Sequence, residues 1–186
     1  MIARDVLPPR MNRAASASNL RILPLRNQDI PELVQLAREI WYAHFPSIIT
    51  VEQIEYMLNQ RYRPEVIGEQ LANGTAWWDK LLLDDHLIAF SACALSEHPE
   101  AMKLDKLYVR YDLRRHGYGS LLLRQVEERA RRLGCSRVYL QVNRHNRSAI
   151  DAYLRNGYSV TQSARVDIGA GFVMDDYVMS KALPVA

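Results

Sequence analysis

The stretch Leu104-Asp105-Lys106-Leu107-Tyr108-Val109-Arg110-Tyr111-Asp112-Leu113-Arg114-Arg115-His116-Gly117-Tyr118-Gly119-Ser120 decides the fold. Leu104 to Val109 reads as an apolar strand that runs into a short basic turn. Two glycines then open a long amphipathic helix. The amides at a helix start have no intrahelical acceptor, so an anion fits there. Arg114, Arg115 and His116 add positive charge, and Gly117 and Gly119 let a phosphate approach the main chain closely. The stretch predicts a strand leading a ligand to a pyrophosphate site. Read more blandly, it is a strand, a polar turn and a helix.

Downstream, the helix after Gly117 carries Leu122, Val126, Ala130 and Leu133 on one side and Arg124, Glu128, Arg131 and Arg132 on the other. Gly134 closes it as a C-cap. From Arg137 to Asn143, Val138, Leu140 and Val142 alternate with Tyr139 and Gln141, a strand pattern. Lys103 to Asn143 is therefore a βαβ unit, expected to be right-handed and parallel. Asn146 then caps a helix with Ala149, Ile150, Tyr153 and Leu154, which stops at Gly157. A last hairpin pairs Tyr158–Val166 with Phe172–Ser180 around Gly169 to Gly171.

Upstream, Leu20 to Leu25 reads as a first strand. A helix follows, with cap residues Asn27 and Asp29, Pro31 in its first turn, and an apolar stripe of Ile30, Leu33, Val34, Ala37, Ile40 and Trp41. Pro46 ends it. Thr50 with Gln53 is a capping-box signature for a second helix that buries Ile54, Met57 and Leu58. After Pro64 a short helix through Val66, Ile67 and Leu71 ends at Asn73-Gly74. Thr75–Leu83 and His86–Leu95 form a hairpin turned at Asp84-Asp85. The class is mixed α/β, with one mostly antiparallel central sheet around a parallel βαβ unit.

The totals bound the function. The chain has 186 residues, 48% hydrophobic and 24% charged, enough for one domain with a real core. Residues 1–19 read as a tail and 20–183 as the domain; translation could start at Met1 or Met11. A net charge of +3 is too small to argue for nucleic acid. No apolar run reaches membrane-spanning length. Cys93 and Cys135 lie at no metal-ligand spacing, which argues against structural zinc and for a reducing compartment, the cytoplasm.

The loop itself fails two templates. No Gly-x4-Gly-Lys-Ser/Thr stretch occurs, and the third glycine of Gly-x-Gly-x-x-Gly is absent, since Ser120-Leu121-Leu122 follows Gly119. What stands is Arg114-x-x-Gly117-x-Gly119 after Leu107-Tyr108-Val109, and further on Asn146-x-x-Ala149-x-x-x-Tyr153-x-x-x-Gly157-Tyr158. This pair of motifs resembles the GCN5-related N-acetyltransferase (GNAT) superfamily, and the resemblance covers about Leu20 to Leu183. It departs from the family pattern at Tyr158, where Phe is more usual, and at Ala89, where glycine often stands.

The resemblance implies an acyl-CoA N-acyltransferase fold: a sheet of about seven strands with helices on both faces. It implies acetyl-CoA as co-substrate, no metal, and a primary amine of a small molecule or peptide as acceptor; it admits a homodimer. In such proteins Leu107, Tyr108 and Val109 part from the neighbouring strand near Val142 and Asn143, and the pantetheine arm pairs with main chain in the gap. The amides from Arg115 through His116, Gly117, Tyr118 and Gly119 to Ser120 would hold the pyrophosphate. Arg114 would support the loop or meet the 3′-phosphate. Tyr153 would protonate the departing thiolate, a task open to a phenol that stays protonated at neutral pH. Asn146 is a helix cap first; it and Asn143 are secondary ligand contacts.

No general base is identifiable. Asp105 is the nearest carboxylate and reads as a surface residue. Trp41, Tyr42, His44 and Phe45 at a helix end, with Asp175, Asp176 and Tyr177 on the last hairpin, would suit a cationic amine. Trp41 and Phe45 equally fit the core, and paired hairpin aspartates are usually solvated. The leading expectation is an acetyltransferase acting by direct attack in a ternary complex. A non-catalytic acyl-CoA-binding module is the alternative.

Overall fold

A computed structural model describes residues 19–98 and 100–184. The tail reading, apart from Asn19, and the choice of start codon lie outside them. Asn19 is tied to the domain: its amide donates to Asp84 Oδ1 at 2.8 Å, and the Asp84 amide donates to its carbonyl at 3.0 Å.

The chain runs β1 (Leu20–Pro24), α1 (Ile30–His44), α2 (Val51–Arg61), α3 (Pro64–Asn73), β2 (Trp77–Leu83), β3 (His86–Leu95), β4 (Ala101–Val109), α4 (Tyr118–Arg132), β5 (Arg137–Asn143), α5 (Arg147–Arg155), β6 (Ser159–Gly169) and β7 (Phe172–Ala182). Short 3-10 turns at Asn27–Asp29, Phe45–Ser47 and Tyr111–Leu113 join some of them. One seven-stranded sheet has the order β1-β2-β3-β4-β5-β7-β6, antiparallel throughout except between β4 and β5. This is the mixed α/β architecture the sequence predicts. Among the described residues no helix is long and apolar enough to cross a membrane.

Each face of the sheet carries its own core. On one face α1, α2 and α3 bury Leu33, Ile40, Trp41, Ile54 and Ile67 against Trp78 and Phe90. On the other, Leu123, Val126 and Ala130 of α4 pack on Met102, Leu104, Val138 and Leu140. The α4 side is also bolted by buried charge. Arg129 donates to both oxygens of Asp79 at 2.6 and 2.9 Å, and Lys181 to both oxygens of Glu127 at 2.9 and 2.8 Å.

Some local expectations change. Thr50 Oγ1 accepts from the Gln53 amide at 3.2 Å, but the Gln53 side chain does not return to close the box. It donates to the Val173 carbonyl at 3.2 Å and ties α2 to β7. Leu133 and Leu154, read as core-facing, are 44% and 49% exposed. Leu133 is the C-cap of α4, past the last turn that faces the sheet. Asp84 and Asp85 both take left-handed φ, 48° and 68°, the turn that suits a two-residue hairpin.

Candidate active site

The sheet opens at its centre. Parallel pairing of β4 with β5 covers only Ala101↔Arg137 to Leu104↔Leu140. Beyond it, β4 stays paired with β3 as far as Val109, and β5 stays paired with β7 as far as Asn143. Their facing edges, Asp105 to Val109 and Gln141 to Asn143, are thus left without each other. A register shift opposite Asp105, where Ala92 pairs with Lys106 but Cys93 with Leu104, bends β4 where the gap begins. The gap is a wedge with main-chain donors and acceptors along its edges, the arrangement that accepts an extended ligand as an added strand.

The wedge leads to the cleft that Leu107, Tyr108, Asn143, Asn146, Ala149 and Tyr153 line together with Trp41, Tyr62, Asp105 and Asp176. Val109 at the end of β4, and Arg114, Arg115, His116, Gly117, Tyr118, Gly119 and Ser120 in the loop and first turn of α4, lie beyond this lining. The Tyr108 ring packs into the α1 side core, 5.5 Å from Phe90 and 6.0 Å from Trp41. Leu107 packs into the opposite core.

The loop presents its backbone. Among the described residues the amides of 115 to 120 have no protein acceptor. Arg115 and Gly117 are left-handed, at 66° and 83°, while His116 between them is not, and such alternation curls successive amides into an anion-binding nest. His116 Nδ1 donates to the Arg114 carbonyl at 2.9 Å, and its ring stacks on Tyr118. Imidazole therefore braces the loop. A Cβ on Gly117 would meet nothing, so its backbone angle is what calls for glycine; a Cβ on Gly119 would sit 3.8 Å from Val109 Cγ2, an ordinary contact.

Arg114 lies over the Tyr111 ring at 4.8 Å and donates from Nη1 to His44 Nδ1 at 2.9 Å. With Nδ1 accepting, the proton of neutral His44 sits on Nε2, which donates to Asn146 Oδ1 at 3.0 Å. The same oxygen accepts from the Ala149 amide at 3.3 Å and Ser148 Oγ at 3.2 Å, so Asn146 caps α5 as expected. Burial and the Arg114 charge hold the His44 pKa below its ordinary value. One neutral imidazole thus joins the loop, α1 and α5. Asn143 Oδ1 accepts from the His145 amide at 2.9 Å, closing the turn into α5.

Tyr153 stands on α5 with its ring 5.9 Å from that of Tyr158. Burial raises the Tyr153 pKa, so its hydroxyl keeps its proton at neutral pH. The two cleft carboxylates differ. Asp105 meets Lys106, which itself lies over the Tyr62 and Trp78 rings, and Lys103 at 3.6 Å; Lys106 offsets its burial and keeps its pKa low. It belongs to the cleft wall and is ion-paired. Asp176 is 2% exposed, against the solvated position expected of a hairpin aspartate. Strand alternation puts Asp176 on the same face as Met174, which packs against the α1–α3 core. His44 was placed only in an aromatic cluster, since nothing local marks a residue whose partners lie 70 and 102 positions away.

Comparison with known proteins agrees with this architecture. The sequence profile of the Acetyltransferase (GNAT) family matches residues 30–158. A spermidine N(1)-acetyltransferase of Thermoplasma acidophilum is 25% identical over 161 residues, covering 84% of this chain and 96% of that protein. An uncharacterised N-acetyltransferase of Lactobacillus delbrueckii subsp. lactis is 21% identical over 89% of this chain and 99% of its own. The crystal structure of PaiA N-acetyltransferase from Thermoplasma acidophilum, solved with coenzyme A, shares the fold at a TM-score of 0.77 and 23% identity, over 89% of this chain and 99% of that one. The chain therefore belongs to the acetyltransferase (GNAT) family and is, by that membership, an acyltransferase.

Proposed function

We propose that this protein transfers the acetyl group of acetyl-CoA to a primary amine of a small molecule or peptide, by direct attack in a ternary complex. The observation that carries the reading is the continuity of one path. It runs from the unpaired amides of residues 115 to 120, along the open edges of β4 and β5, to Tyr153. Along it the pyrophosphate meets the loop amides, and Arg114, Arg115 and His116 add positive charge. The pantetheine pairs with the main chain of Leu107 to Val109, with Asn143 and Asn146 at the far side. The thioester then reaches the cleft.

The chemistry needs a nucleophile and an acid. The amine nitrogen attacks the thioester carbonyl carbon, and the C–S bond breaks with its electron pair leaving on sulfur. The departing thiolate takes the phenolic proton of Tyr153. An acyl-cysteine route lacks support: Cys93 is buried, its thiol pushed up to about 11, and Arg129 Nη1 donates to its sulfur at 3.6 Å. The relative named for spermidine supports an amine as acceptor.

Thermal shift with acetyl-CoA, CoA and ATP tests the donor half. A ligand at 100 times its Kd stabilises by about 2.7 kcal/mol, so the first two should raise the melting temperature and ATP should not. A preference for ATP would sink the reading.

A further inference from the structure

The acceptor side of the cleft holds an unexplained group. Asp176 projects from β7, opposite Asn143 of β5, and is 2% exposed, yet neither of its carboxylate oxygens has a hydrogen-bond partner. Buried polar groups are nearly always satisfied, and a buried carboxylate without a partner is costly. An unpaired buried carboxylate in the lining of a cleft is what receives a cationic ligand.

The other charges nearby are largely engaged. Lys106 and Lys103 hold Asp105, and Arg144 of the turn after β5 holds Asp175 at 2.7 Å. Arg61 of α2 reaches Met174 Sδ at 3.3 Å. Facing Asp176 are thus Arg61 from α2, Lys103 from β4, Arg144 and its own neighbour Asp175, and Asp105 of β4 lines the same cleft. None of them makes an ion pair with it among the described residues. Lys80, Lys103, Lys106 and Lys181 all find carboxylates elsewhere, so an amine entering this cleft meets one carboxylate still open.

We infer that Asp176 is the general base of the transfer, taking a proton from the acceptor's ammonium group and holding the amine beside the thioester; this rests on the acetyltransferase reading above. The step balances. The ammonium N–H bond breaks and its proton goes to an Asp176 oxygen, leaving the lone pair on nitrogen. That nitrogen bonds to the acetyl carbon as the C–S bond breaks, the thiolate takes the Tyr153 proton, and the second nitrogen proton returns to the Tyr153 phenolate as the amide forms, so that the one proton left on Asp176 passes to water after turnover. Burial outweighs the pull of Arg61 and raises the Asp176 carboxyl to about 6, so it is ionised at neutral pH and still basic enough for the task. Asp105, held down by its lysines, is the poorer base.

The test is kcat/KM against pH for the wild type, Asp176→Asn and Asp176→Glu, with acetyl-CoA and, as acceptors, spermidine, tyramine and glycylglycine. The wild type should lose activity below about pH 6, where the base is protonated. Asp176→Asn should fall by about 100-fold or more at neutral pH and lose that acid limb, with acetyl-CoA affinity kept within about twofold, and Asp176→Glu should recover part of the rate. Asp176→Asn should also melt higher than the wild type at pH 8, since an unpaired buried charge is gone, and the gain should shrink towards pH 5. Asp176→Asn turning over within about threefold of the wild type would overturn the assignment. So would a lower melting temperature at pH 8, or failure of both Asp176→Asn and Asp176→Ser to fold, which mark a structural carboxylate. If the wild type releases no thiol with any of the three amines, the acetyltransferase reading falls and this inference with it. If the wild type works and Asp176→Asn matches it, only Asp176 is wrongly assigned.

Discussion

Arg114, His44 and Asn146 form a relay of hydrogen bonds that ties the loop before α4 to the two helices beside the cleft. It works only while His44 is neutral, because a protonated imidazole loses its acceptor and repels Arg114. Replacing His44 with Ala should cost about 1 kcal/mol of stability and weaken acetyl-CoA binding several-fold, read by calorimetric unfolding and titration. An unchanged affinity would separate the relay from the loop. Tyr153→Phe should leave acetyl-CoA binding intact and lower kcat by about 100-fold, since the ring packs the same way and only the proton is gone. Full turnover by that variant across the pH range would remove Tyr153 from the acid role. The motif around Tyr153 made it legible in the sequence. His44 had no such frame, and for Asp176 the sequence left two readings open, lining for a cationic amine or a solvated hairpin aspartate, of which the cleft position fits the first.

The loop and α4 act as one element with two kinds of glycine. Gly117 sits at φ 83°, so Gly117→Ala should cost about 1–2 kcal/mol through backbone strain alone. Gly119 lies in the first turn of α4 with room for a methyl group. Gly119→Ala should therefore keep or raise the melting temperature while reducing acetyl-CoA affinity, because the new Cβ stands over amides the phosphates would use. Thermal melts with and without acetyl-CoA separate the two. Behind the loop, Arg129 on Asp79 fixes α4 to the sheet, and Asp79 is 1% exposed. Asp79→Ala strands a half-buried guanidinium and should destabilise by about 3–5 kcal/mol in denaturant unfolding. At this scale the sequence was most readable, since apolar periods of 3.6 and 2 mark the helices and strands directly. The wedge was less so: nothing in the alternation of Leu104 to Val109 says where pairing with β5 stops, and only the family resemblance implied it.

Across the whole molecule, the half-buried His44 and the buried Asp176 pull stability in opposite directions as pH falls. His44 has a folded pKa below its ordinary 6.5, so below pH 6.5 the unfolded chain takes the proton first and stability drops. Asp176, raised from 3.8 to about 6, takes its proton in the folded state first, so stability rises as pH falls from about 6 towards 4. Unfolding midpoints of His44→Ala between pH 8 and 5 should show the Asp176 gain more clearly than the wild type, and those of Asp176→Asn the His44 loss. The two-faced sheet holds these groups in place: the α1–α3 core positions His44 and one wall of the cleft, while the α4 core carries the loop. The transfer itself is read by free-thiol release from acetyl-CoA on addition of an amine, with the acetylated amine identified by mass spectrometry in the same reaction. Thiol and acetyl-amine should appear in equal amounts, both dependent on enzyme and amine; thiol release that ignores the amine, or none with any amine while acetyl-CoA binds, would rule the transfer out.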